Sequence, residues 1–222
     1  MAWHGAAGMD RNQGMATEKE IQIRAPNMAT ASFGIRGTAP FVQLRFSAKV
    51  QEGLLKKHME GSQAKKGKKR EAKDPEALFE EAMYLSTDGW RGIPASSFRK
   101  ALVSACRLVG FKMTLAKLGV FIEPDGFDAE DGTPLIRIQG EPALHISHTR
   151  NATGVPDIRI RAMWREWAAT VRITYDADLF NEVDVANLLM RVGMQVGIGE
   201  GRPDSRESVG MGWGTFRLGG KE

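Results

Sequence analysis

Apolar and polar residues alternate along residues 41–50 (Phe-Val-Gln-Leu-Arg-Phe-Ser-Ala-Lys-Val). Val42, Leu44, Phe46 and Ala48 fall on one face, and Gln43, Arg45, Ser47 and Lys49 on the other. A period of two marks a half-buried strand, so residues 20–50 are read as strands. The period changes over residues 95–110, where Phe98, Leu102, Ala105, Cys106 and Val109 recur every three or four positions and draw one apolar stripe along a helix. Ser96 or Ser97 is placed to cap it. A shorter helix over 76–85 follows Pro75, with Leu78, Phe79 and Met83 inward, and residues 88–94 read as a turn. Strands are expected at 117–122 and 135–138 around an acidic loop, and at 143–148. A long hairpin is expected over 157–176, from the alternation at Ile158, Ile160 and Ala162 and again at Val171, Ile173 and Tyr175. Val185, Leu188, Leu189 and Val192 predict a second helix over 183–193 with Gly193 as its C-terminal cap. Residues 215–218 close the chain as a strand.

Stripped of insertions, this order is βαββαβ. It predicts an α+β fold of the ferredoxin-like (RRM-like) kind: an antiparallel sheet with two helices on one face, plus a flexible basic insertion and β-hairpin extensions. The topology serves many unrelated functions, so it names none. Residues 1–19 read as a flexible tail without the charged start and apolar run of a signal peptide. Residues 20–222 read as a single domain with an insertion at about 51–89.

Charge changes the picture at that insertion. The 222 residues carry a formal net charge of +4. Between 51 and 75, Lys56, Lys57, Lys65, Lys66, Lys68, Lys69, Arg70 and Lys73 oppose only Glu52, Glu60, Glu71 and Asp74. The local excess therefore equals that of the whole chain. Residues 61–70 hold no large apolar side chain and cannot bury anything. They read either as a solvated loop or as a basic flap that closes on a phosphate backbone. Arg45 and Lys49, on the polar face of the strand before it, are further phosphate candidates. No apolar run approaches the roughly 18 residues of a membrane span. The single cysteine, Cys106, forms neither an intramolecular disulfide nor a cysteine metal cluster, and reads as a small buried hydrophobe in a reducing, cytoplasmic compartment.

Two segments carry candidate chemistry. Residues 92–107 bring a proline, then Ser96 and Ser97, then Arg99, Lys100 and Arg107 onto the first turns of a helix. Unpaired N–H groups and the helix dipole favour an anion there; an ordinary capped amphipathic helix is the plain alternative. Residues 197–217 hold six glycines between positions 197 and 214, with Arg202, Arg206 and Trp213 among them. Neither a phosphate-binding Gly-Lys-Ser/Thr ending nor a following helix is present, which excludes the nucleotide-loop fingerprints. The segment reads as a place where a ligand comes close to backbone, or as a mobile surface loop. Among Trp90, Trp164, Trp167 and Trp213, the last is the foremost candidate to stack a base. His145 and His148 alternate onto opposite faces of a strand, which argues against a catalytic or metal-binding pair. His148 and Arg150 then read as nucleic-acid contacts.

Together, Ile-Pro-Ala-Ser-Ser-Phe-Arg-Lys-Ala-Leu-Val at 93–103 and Gly-Met-Gly-Trp-Gly-Thr-Phe at 210–216 resemble the RAMP superfamily, which builds the backbone of CRISPR effector complexes. Members begin their first helix with such a segment and place a glycine-rich loop before the last strand of a ferredoxin-like core. Ala95 stands here for a usual glycine, and Lys100 or Ala101 for a second. The resemblance implies protomers that oligomerise side by side along single-stranded RNA or DNA, gripping its phosphates, with residues 51–89 as thumb or flap. From the residues themselves no cofactor, no metal and no membrane partner is expected. The short chain points to a stand-alone relative, such as a phage or mobile-element protein. A metal-independent ribonuclease using His145 and His148, and a structural self-assembling protein without nucleic acid, are the alternatives.

Overall fold

The computed structural model describes residues 23–45, 55, 74–150, 156–205 and 209–219, with backbone alone at 149–150 and 156–157. Among the described residues the chain is α+β, with antiparallel sheets and four α-helices. Strand β1 (Met28–Gly37) and the short β2 (Phe41–Gln43) are followed by α1 (Pro75–Glu81), β3 (Tyr84–Leu85) and β4 (Arg91–Pro94). Helix α2 (Ala95–Ala105) runs on through a 3-10 turn to Val109, where Gly110 ends it. Next come α3 (Met113–Gly119), β5 (Val120–Glu123), β6 (Gly126–Phe127), β7 (Pro134–Gln139), β8 (Pro142–Arg150), β9 (Pro156–Trp164) and β10 (Ala168–Asp176). Helix α4 (Glu182–Arg191), a π turn over Val192–Val196 and β11 (Phe216–Leu218) complete the chain.

The larger sheet runs β11-β1-β10-β7-β4-β3, with β5 also on β10 and β6 on β7; the smaller runs β2-β9-β8. Alternation decides the core. Ala31 and Ile35 of β1, and Ala169, Val171, Ile173 and Tyr175 of β10, are buried on one face, beneath α2 and α4. The α2 stripe enters this core through Phe98, Ala101, Leu102 and Ala105, with Phe98 edge-on to Phe216 of β11 at 6.3 Å. An aromatic cluster joins the two sheets: Phe41 sits 5.6 Å from Trp164 and 5.7 Å from Trp167, which lies 5.9 Å from Phe216. Helix α4 is started by a reciprocal cap between Asn181 and Asp184.

Several expectations are corrected. Strand β2 does not alternate. Phe41, Val42 and Gln43 are all buried, because the strand is covered on both sides. Just beyond it Leu44 points outward at 41 % exposure while Arg45 turns inward at 7 %. Residues 75–85, counted in the insertion, belong to the fold, since β3 pairs with β4. Residues 91–94, read as a turn, are strand β4. Residues 117–119 end a helix instead of starting a strand, and that turn buries Ala116 and Gly119. Neither serine caps α2; Pro94 is its N-cap, without a side-chain hydrogen bond. The expected hairpin of β9 and β10 does not form. Trp164 and Trp167 are both drawn into the aromatic cluster, so the chain crosses there between sheets. β9 pairs instead with β8, from Pro142 opposite Trp164 to Arg150 opposite Pro156. Gly193 is not a cap either. It lies in the π turn, where a Cβ would overlap the Phe216 carbonyl, and the left-handed φ falls at Gly197.

Candidate nucleic-acid interface

The glycine-rich segment is a double run of chain. Residues 196–201 and 210–214 lie side by side, held by Ile198 N–H to the Gly214 carbonyl (3.0 Å) and by the Met211 and Trp213 N–H groups to the Gly201 carbonyl (2.7 and 3.2 Å). The pair is pinned to the smaller sheet, with Glu200 N–H donating to Val42 (2.9 Å) and Gly214 N–H to Pro40 (2.7 Å). All six glycines have positive φ. At Gly199 a Cβ would press on the Phe41 ring and the Val42 carbonyl at 2.6 Å, and at Gly214 it would overlap the Ile198 carbonyl. The close approach that glycine permits is therefore used by the chain against itself.

Three side-chain contacts tie this double run to its surroundings. Glu200 pairs with the buried Arg161 of β9. The Trp213 ring stands edge-on to His145 of β8 at 5.4 Å and 90°, half-exposed. Asp204 accepts from Ser104 of α2 and from Arg107 (2.8 Å), while Arg107 also donates to the Ser104 hydroxyl (2.6 Å). The Ser104 hydroxyl holds the Asp204 carboxyl below the usual aspartate range against the opposing effect of burial, and Arg107 adds to it. Ser96, Lys100 and Ser104 recur at four-residue spacing and Arg107 one turn on, so they share one helix face. The double run meets that face at its C-terminal half.

The predicted residues divide accordingly. Ser96 and Lys100 are exposed on this face, and Ser97 is half-buried beside them. Arg202, half-exposed, donates to the Gly199 carbonyl at 3.1 Å. Arg202 and Trp213 lie on the double run, while Lys100 and Ser96 lie on α2 one and two turns before the Ser104 that Asp204 holds. Arg99 does not join it: its guanidinium is spent on the Val120 and Lys117 carbonyls (3.1 and 2.6 Å) and lies over Phe121. Arg45 is corrected as a phosphate ligand, because it is held by Asp128 (2.7 Å) and Glu130 (2.9 Å) and lies over the Tyr84 ring. His148 is exposed on the hairpin face opposite His145, as alternation predicts. Arg150 lies on β8, with its side chain outside the description. Lys49, Lys65, Lys66, Lys68, Lys69, Arg70 and Arg206 lie outside the described residues.

Sequence reasoning missed Ser104, Asp204, Arg161 and Glu200. The four-residue spacing from Lys100 to Ser104 was a readable signal; the pairing of residues a hundred positions apart was not. Cys106 is buried, and burial pushes its thiol up. Among the described residues no group of three His, Cys, Asp or Glu is placed to hold a metal ion, and no helix is long and apolar enough to cross a membrane. No protein-family model matches the chain, and no curated protein matches it.

Proposed function

We propose that the protein binds single-stranded nucleic acid in a sequence-tolerant way and assembles along it, on a ferredoxin-like core of RAMP type. One observation carries the reading. The glycine-rich double run is a ledge between the polar face of α2, reached through Asp204, and the β8–β9 hairpin; it presents Arg202 and a half-exposed Trp213, and Lys100 is exposed on α2 one turn before the Ser104 that Asp204 holds. An indole accepts any base on its face, and cations beside it follow the phosphates. The antiparallel order β11-β1-β10-β5, with α2 between β1 and β5 and α4 between β10 and β11, supports the ferredoxin-like core. The β8–β9 ribbon supports assembly. Past Ala162 it leaves β2 and continues two-stranded, exposing Ile146 and Ile158.

Fluorescence anisotropy with labelled single-stranded RNA, single-stranded DNA and duplex, across a salt series, tests this, with sedimentation of the same samples. Expected are salt-sensitive binding to a single strand and a mass that grows with strand length. Trp213→Ala weakens that binding by ~1–3 kcal/mol, the worth of one stacked base. No binding to any of the three at low salt overturns the proposal.

A further inference from the structure

Across β1, β10 and β11 the face of the larger sheet that turns away from α2 and α4 is mostly polar; its buried apolar group, Leu135 beside Trp90, lies apart on β7. Reading outward positions across the register, β1 contributes Thr30, Ser32, Gly34 and Arg36, β10 Thr170, Arg172 and Thr174, β11 Arg217, β7 Arg137 and Gln139, and β5 Phe121 and Glu123. Arg36 and Arg217 stand directly opposite one another on neighbouring strands, both exposed. Strands lie about 4.8 Å apart. Like charges set directly opposite across a sheet destabilise it. Arg172 is neutralised by Asp125 at 3.0 Å and Glu123 at 3.6 Å. Arg36, Arg217 and Arg137 have no ion pair among the described residues. Beside the pair the surface is low, because Gly34 and Gly219 are joined by a 2.7 Å backbone hydrogen bond and neither has a side chain.

We propose that this face is a second anion-binding surface, and that Arg36, Arg217 and Arg137 hold a phosphodiester backbone on it. Guanidinium groups match phosphate oxygens in paired hydrogen bonds. A bound polyanion removes the repulsion that the unliganded pair sustains. The hydroxyls of Ser32 and Thr170 suit phosphate oxygens, whereas a protein partner needs a desolvated apolar centre that these positions do not supply. The surface lies on the opposite side of the sheet from the glycine-rich ledge. It therefore stands or falls separately from the function proposed above.

Thermal unfolding with inorganic tripolyphosphate is the test, with poly-glutamate as the carboxylate control. The wild-type protein is expected to gain ~5–10 °C at a hundredfold excess over the Kd of tripolyphosphate. R36Q/R217Q is expected to lose that gain, while its unliganded unfolding temperature rises by ~1–4 °C as the repulsion goes. R91Q, which removes a surface arginine paired with Glu80 outside both surfaces, keeps the gain. Retention of the gain in R36Q/R217Q overturns the proposal, as does a lowered unliganded temperature in that variant or equal stabilisation by poly-glutamate. Loss of the gain only in K100Q/R202Q, a variant of the ledge, also overturns it, and leaves the ledge as the phosphate site.

Discussion

Asp128 is the carboxylate on which the edge of the larger sheet depends, and its removal has a calculable cost. It is almost fully buried and accepts from Arg45 (2.7 Å), from the N–H groups of Glu130 (2.9 Å) and Asp131 (3.1 Å), and, through its other oxygen, from Leu85 (3.2 Å). One side chain thereby joins the chain leaving β2, strand β3 and the turn that leads into β7. Burial works against the charge of Arg45. The hydrogen bond with Glu130 and the carboxylates of Asp128, Glu130 and Asp131 outweigh it, and the guanidinium is held above its usual range. Asp128→Ala leaves Arg45 with Glu130 alone, a carboxylate that is half in water. Removing one partner of a buried pair costs ~3–5 kcal/mol, which for a chain of this length lowers the unfolding temperature by ~6–20 °C. Arg45→Met is milder, because three backbone N–H groups still solvate Asp128. The double variant is expected to cost at least ~0.5 kcal/mol less than the sum of the two. Urea unfolding of the four proteins closes the cycle. A loss below ~1 kcal/mol for Asp128→Ala, or strict additivity, refutes the assignment of this pair as a buried structural hub.

Two further perturbations test the ledge. The lowered pKa of Asp204 means that the unfolded chain binds the proton more readily. The stability it contributes is present above the unfolded value near 3.9 and is lost as pH falls through the native value below it. Ser104→Ala removes the largest cause, so the carboxyl titrates closer to its ordinary range in a carbon-detected NMR titration and acid unfolding shows a shallower limb below about pH 4; an unchanged titration contradicts the network. Gly212 and Gly214 share positive φ, but a Cβ at 212 meets open space while one at 214 overlaps the Ile198 carbonyl. Gly212→Ala is expected to cost ~1–2 kcal/mol for the backbone alone and Gly214→Ala clearly more, so equal costs in denaturant unfolding contradict the packing of the double run.

Much of the element order was legible because its signals are local. The three- and four-residue stripe through Phe98 and Leu102 is helix α2, and the alternation of Val171, Ile173 and Tyr175 is the buried face of β10. Pairing was not legible. Ile158 to Trp164 and Trp167 to Tyr175 look like two arms of one hairpin, since both alternate and only Arg165 and Glu166 intervene. Which partner a strand takes depends on where its ends are anchored, and the two tryptophans anchor them in a cluster completed by Phe41 and Phe216, far off in sequence. Arg45 fails for a related reason. Alternation assigns faces but does not say which face water reaches, and a strand covered on both sides makes even a correct period uninformative.

The glycine-rich segment shows the limit of composition as a guide to a site. Six glycines announce that backbone comes close to something. Chain and ligand make the same demand on φ and on the missing Cβ, so residue type cannot separate them. In the fold Gly199 faces Phe41 and Val42, and Gly214 faces Ile198. The Met211, Trp213 and Gly214 N–H groups are already given to carbonyls. A strand lying on this ledge therefore meets side chains, not an open nest of amides. On the function proposed here, its affinity rests on Trp213, Arg202 and Lys100 and is removable by substitution at those positions. The glycines act one step earlier, by letting the two runs pack closely enough to set the indole against His145.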